Sequence, residues 1–80
     1  MNLERQELFN QIRKIFVQVL DDSAIILNEE TKASDVYGWD SLTHIQLVVS
    51  IEKQFKIRFT SREIQSWQNV GQMVDCIQTK

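Results

Sequence analysis

Eighty residues, 42% of them apolar, set the size of one small domain spanning residues 1–80 with one modest core. A single cysteine, Cys76, and a single histidine, His44, exclude a disulfide framework, a cysteine-based structural zinc site and a transition-metal cluster, and they point to a reducing, cytoplasmic setting. The net charge of −2 conceals an asymmetry: residues 21–40 carry six acidic side chains against one basic, whereas residues 41–60 carry three basic against one acidic. No basic stripe suited to a phosphate backbone is present, so nucleic acid is not an expected partner. No apolar run approaches the roughly 18 residues of a membrane span, and the N-terminus lacks the pattern of a signal peptide. The absence of proline and the presence of only two glycines predict an all-α chain.

The first periodic stretch is Leu8, Phe9, Ile12, Ile15, Phe16, Val19 and Leu20, one face of a helix running from about residue 3 to 20. Asp21-Asp22-Ser23 is its stop. Residues 21–40 then form a loop long enough to be functional. Ile25-Ile26-Leu27, Val36, Tyr37 and Trp39 are expected to pin it to the core. Asp40 is a good N-cap, and the run Leu42, Ile45, Leu47, Val48, Val49, Ile51 and Phe55 predicts a second helix ending near Gln54 or Phe55. Its apolar residues occupy more than one stripe, which predicts a central, heavily covered helix. Residues 56–59 alternate as a strand would, but with no partner strand they read as an extended link. Thr60 and Glu63 form a capping box for a short third helix carrying Ile64 and Trp67. Asn69 and Gln72 repeat that cap ahead of a last helix over residues 70–78.

One constellation carries chemistry: Gly38-Trp39-Asp40-Ser41-Leu42. With Asp40 as cap, Ser41 is the first helical residue. Its hydroxyl lies beside unpaired N–H groups at the positive end of the helix dipole, where a phosphate is favoured. His44 is a helical neighbour, but no carboxylate orients it and no oxyanion loop accompanies it. Ser41 therefore reads as a residue that is modified, not one that catalyses, and no enzyme is expected. Cys76 reads as an inert, partly buried thiol.

Asp40-Ser41-Leu42 ahead of the helix Thr43–Phe55, with its Glu52-x-x-Phe55 end, resembles the Gly-x-Asp-Ser-Leu pattern of the acyl carrier proteins. The likeness covers nearly the whole chain. It implies a four-helix bundle of three main helices and one short one, with a long first loop. It further implies 4′-phosphopantetheine, taken from coenzyme A by a phosphopantetheinyl transferase and attached to Ser41, holding an acyl or aminoacyl group as a thioester. An acyl- or aminoacyl-loading enzyme and a downstream acyltransferase or synthase would be further partners of a monomeric carrier. Asp40 would cap the helix and help the transferase recognise the serine. Leu42, Glu30, Asp35, His44 and Trp39 would be docking residues. His44 is otherwise read as a solvated helix residue, and Trp39 as a loop residue covering the helix start. In the family, the region of Phe59, Ile64 and Trp67 together with the second helix (Val48, Ile51) borders an acyl cleft. Bulky rings there imply a short or polar cargo.

Carriers of fatty-acid synthesis are acidic along the exposed face of the second helix, whereas this chain places His44, Gln46, Lys53 and Gln54 there. The resemblance is therefore to a discrete carrier for a specialised pathway. The alternatives are an unmodified helical interaction module and, among carriers, one for D-alanyl or other aminoacyl groups.

Overall fold

A computed structural model describes residues 4–80. The predicted start of the first helix, residue 3, lies outside the described residues. Four α-helices follow in order: α1 (Arg5–Leu20), α2 (Ser41–Phe55), α3 (Ser61–Ser66) and α4 (Val70–Gln78), with one 3₁₀ turn, Ala33–Asp35, in the first loop. Among the described residues there is no strand, and residues 57–60 are the extended link that the sequence predicts.

The apolar face of α1 buries Leu8, Ile12, Ile15 and Phe16. It packs chiefly against α2, which contributes Leu47, Val48, Ile51 and Phe55, and also against α4, which contributes Val70, Met73, Val74 and Ile77. Asp21 ends α1 in the left-handed conformation at φ 54°, and its N–H and that of Asp22 both donate to Val17 O. Short polar side chains tolerate this conformation better than most, which is why the Asp-Asp pair works as a stop.

The loop is held by polar bonds more than by its apolar residues. Arg13 reaches out of α1 to donate to Ile25 O at 2.7 Å and Ser23 O at 2.9 Å, and Ile25 is buried beneath it. Further on, the first turn of α4 is bolted to the loop: Val70 N–H donates to Thr31 O and Gly71 N–H to Glu29 O. These are helix-start donors that would otherwise lack partners. The Arg5 guanidinium closes the same junction, donating twice to the Glu29 carboxylate at 2.6 Å, to Gln78 at 2.7 Å and to Gly71 O at 3.1 Å, and pairing with Asp75. Two of the expected apolar anchors do not act as such. Tyr37 is 94% and Ile26 80% exposed, because the bonds from Arg13 and α4 already fix the chain on either side of them.

The short helices are capped as their sequences predict. Glu63 N–H donates to Thr60 Oγ1 while Thr60 N–H donates to the Glu63 carboxylate, and Gln72 N–H donates to Asn69 Oδ1. The Glu63 carboxylate also takes two bonds from the Lys80 ammonium, which, with the Thr60 N–H, holds it well below the ordinary carboxylate range, at about 2. The expectation that α2 is covered on most sides is corrected. Leu42, Ile45 and Val49 face solvent, because only α1 and α4 pack closely enough to cover it and α3 is short.

A β-carbon on Gly71 would meet Glu29 O at 2.7 Å, a backbone atom that cannot swing aside. Gly71→Ala is expected to cost about 1–3 kcal/mol, read as a lower urea midpoint with an unchanged slope. Because the folded Glu63 carboxyl ionises at about 2 and the unfolded one near 4.5, its contribution is complete above pH 4.5 and is lost as pH falls from 4.5 toward 2. The difference in melting temperature between wild type and Glu63→Gln should shrink across that window.

Candidate functional site

The start of α2 is built by a reciprocal cap. Asp40 is extended at φ −124°, and its Oδ1 accepts from the N–H groups of Leu42 and Thr43, both at 3.0 Å. Thr43 answers: its hydroxyl accepts from Asp40 N–H at 2.8 Å and donates to Gly38 O at 2.8 Å. The bond from the Thr43 N–H leads a set that holds the Asp40 carboxyl below its usual range. Gly38, at φ 88°, makes the bend that brings its carbonyl to Thr43. Sequence reasoning identified the cap but missed Thr43, which stands where a glutamate or glutamine usually completes a capping box.

Ser41 follows as the first residue of α2, and it is exposed. The cap corrects one expectation. The Leu42 and Thr43 N–H groups are already taken by Asp40, so they are not free to cradle a phosphate on Ser41. What remains is the dipole and an open hydroxyl that no described residue hydrogen-bonds. Such a group can be approached by a second protein and extended into solvent.

Beside Ser41 opens a cavity of about 320 Å³, lined by Ala33 of the loop, Trp39, Asp40, Ser41 and His44 around the helix start, and Trp67, Gln68, Asn69 and Met73 from the α3–α4 junction. Its walls are mostly aromatic. Trp39 packs edge-on against Phe16 at 4.9 Å and donates its indole N–H to His44 Nδ1 at 3.1 Å. His44 in turn meets Trp67 at 6.1 Å, and Trp67 meets Phe59 edge-on at 4.8 Å. His44 is therefore not a solvated helix residue. It is half-buried, burial pushes its pKa down, and as an acceptor at Nδ1 the neutral ring keeps its proton on Nε2. Trp39 covers the helix start as expected.

The other sequence-predicted residues are spread more widely. Trp67 lines the cavity. Phe59 stands behind it, Ile64 is half-buried on α3, and Val48 and Ile51 lie in the core. Leu42 is exposed on the outer side of α2. Glu30 and Asp35 are exposed on the loop around a separate shallow depression with Ile26 and Asn28, and the Asp35 carboxylate accepts from Lys32 N–H. The cavity residues that sequence reasoning missed are Ala33, Gln68, Asn69 and Met73. Asn69 was legible as a cap, but nothing local marks its second role. Among the described residues no group of three or more histidine, cysteine or acidic side chains is placed to hold a metal.

The family described as "Phosphopantetheine attachment site" matches residues 10–77. The acyl carrier protein of Thermotoga maritima is 29% identical over 95% of this chain and 94% of its own length, and that of Wolinella succinogenes is 31% identical over 90% and 95%. The solution structure of a holo acyl carrier protein from Geobacter metallireducens is 43% identical over 90% of this chain and 83% of its own, with a TM-score of 0.85.

Burial favours the neutral form of His44, so the folded protein binds fewer protons there than the unfolded one, and its contribution to stability falls as pH drops below the ordinary value of 6.5. Protonation at Nδ1 also removes the acceptor for Trp39. Acidification from pH 8 to 5 should lower the melting temperature of wild type more than that of His44→Gln, and should shift the Trp39 indole N–H resonance.

Proposed function

The chain belongs to the acyl carrier protein family, whose members bear a covalent 4′-phosphopantetheine and carry intermediates without catalysing their reactions, and from that premise we propose that Ser41 is the residue that bears the arm. The observation that carries this reading is an open serine hydroxyl at the first position of α2, inside Asp40-Ser41-Leu42 and at the edge of the cavity. The residues present fit the group: an accessible oxygen, a helix dipole that favours a phosphodiester, and an apolar wall within reach. When bound, the arm supplies a terminal thiol on which acyl groups are held as thioesters.

The chain's own residues do the positioning. Asp40 fixes the helix start so that Ser41 faces outward, and Thr43 fixes Asp40. Trp39, His44 and Trp67 exclude water from one side of the site, and the Nε2–H of His44 is the donor that this wall can offer. Gln68 and Asn69 add amides at the rim. A cavity of about 320 Å³ bounded by two indoles and an imidazole suits a short or polar acyl or aminoacyl group better than a long chain.

The family works with partner enzymes. In this reading they are a phosphopantetheinyl transferase that recognises Asp40 and Ser41, a loading enzyme, and a downstream acyltransferase or synthase. Leu42, Trp39 and His44 flank the serine as contact residues, with Glu30 and Asp35 as an acidic flank on the loop. Among the described residues no helix is long and apolar enough to cross a membrane. A cytoplasmic carrier of a specialised pathway, acting as one domain over residues 1–80, fits the uncovered α2 face and its lack of free carboxylates.

Incubation with coenzyme A and a broad-specificity phosphopantetheinyl transferase should add one phosphopantetheine to wild type and none to Ser41→Ala, read by intact mass. No gain on a folded wild type with several transferases would instead leave an unmodified interaction module. A gain on the Ser41→Ala variant would place the arm elsewhere.

A further inference from the structure

The outer side of α2 carries three large apolar side chains that nothing in the chain covers. Leu42 is 65%, Ile45 61% and Val49 42% exposed, and their spacing of three and then four residues sets them on one helical stripe. A stripe of this size on a small protein is a contact surface more often than a neutral one. It starts one residue after Ser41 and runs away from it. At its far end lie Lys53, Lys56 and Arg58, which border one shallow depression with Val49 and Ile57.

Those three cations have no partner among the described residues: none takes part in an ion pair or a side-chain hydrogen bond there. The one acid beside them, Glu52, is turned inward, its carboxylate accepting from Phe59 N–H at 2.9 Å. Lys56 also occupies the left-handed C-terminal position of α2, at φ 57°, where a glycine would sit without strain. A long cationic side chain is thus kept at a backbone cost. The acidic residues of the chain are gathered on the loop of residues 21–40 instead.

We propose that the Leu42–Ile45–Val49 stripe, ending in Lys53, Lys56 and Arg58, docks a partner enzyme whose matching surface is an apolar trough closed at one end by carboxylates. At 1.5 Å per residue, those carboxylates meet Lys53 roughly 18 Å along α2 from Ser41. The stripe supplies the buried area, and the cations supply orientation and a salt-sensitive encounter rate. Together they fix which end of the helix faces the partner's reaction centre. An anionic membrane is the weaker match, because the protein is net negative and its acidic loop opposes such a surface. What the partner does at Ser41 rests on the reading given above, but the docking itself does not require the arm.

The test uses the full ¹⁵N-labelled chain, wild type and Ser41→Ala, titrated with two synthetic amphipathic helical peptides that share a leucine face. One is flanked by glutamates and the other by lysines. The glutamate peptide should move the amide resonances of Leu42, Ile45, Val49 and Lys53 in both proteins. Its dissociation constant should rise at least fivefold in Lys53→Glu/Arg58→Glu, a pair that leaves the helix cap intact, and in Ile45→Ser. Equal or tighter binding of the lysine peptide, shifts confined to the acidic loop, or no shift with either peptide would overturn the proposal. So would concentration-dependent broadening without peptide, which assigns the face to a second copy. Co-sedimentation with phosphatidylglycerol–phosphatidylcholine vesicles, lost in the charge-reversed pair, would assign it to a membrane. Binding that persists in Ser41→Ala while the arm fails to attach to wild type would uphold the docking face and sink only the attachment reading.

Discussion

The indole of Trp39 does two things that the rest of the site depends on. Its edge is seated against Phe16 in the core, which fixes where a 20-residue loop must come to an end. Its N–H is spent on His44, one turn into α2, which fixes the rotation of that helix relative to the loop. The residue between them in the chain is the cap, so the position of Ser41 is defined from both sides. Without this peg the loop would deliver the helix start over a range of positions, since α2 shows solvent a long apolar face that gives no other orientation a clear penalty.

The loop itself is governed from α4. Two N–H groups of the first α4 turn are satisfied by loop carbonyls, and Arg5 binds both partners of that joint. The same joint places Gln68 and Asn69 opposite Ala33 across the cavity. The far wall of the cavity and the loop therefore move as one piece, and the side with more freedom is α3, a six-residue helix held by its cap and by the Glu63–Lys80 pair.

The helices were legible in the sequence because their signals are local. Asp40, Thr60 and Asn69 each announce a helix start, the Asp21-Asp22 pair a stop, and the periodic apolar residues of α1 and α4 their buried faces. The failures have a common physical origin, which is that burial is set by neighbours far away in the chain. Ile45 and Val49 look like core from the pattern of α2 alone, and only the shortness of α3 and the placement of α4 leave them bare. Tyr37 looks like an anchor until Arg13 and α4 are seen to do that work. His44 looks like a surface histidine until the loop folds Trp39 over it. The serine was readable because its role depends on three adjacent residues, while most of the cavity around it is assembled from four separate stretches.

Cys76 adds a consequence for the lifetime of a carried group. Its thiol is half-buried, donates to the Glu63 carboxylate at 3.4 Å, and has its pKa pushed up by burial and by that negative neighbour. The protein's own sulfur is thus kept protonated and weakly nucleophilic at neutral pH. A thioester on the arm finds no competing thiolate on the body that holds it, so self-deacylation by transfer to a dead-end cysteine is suppressed. How long a cargo survives is then set by water and by the enzymes that come to collect it, and not by the carrier.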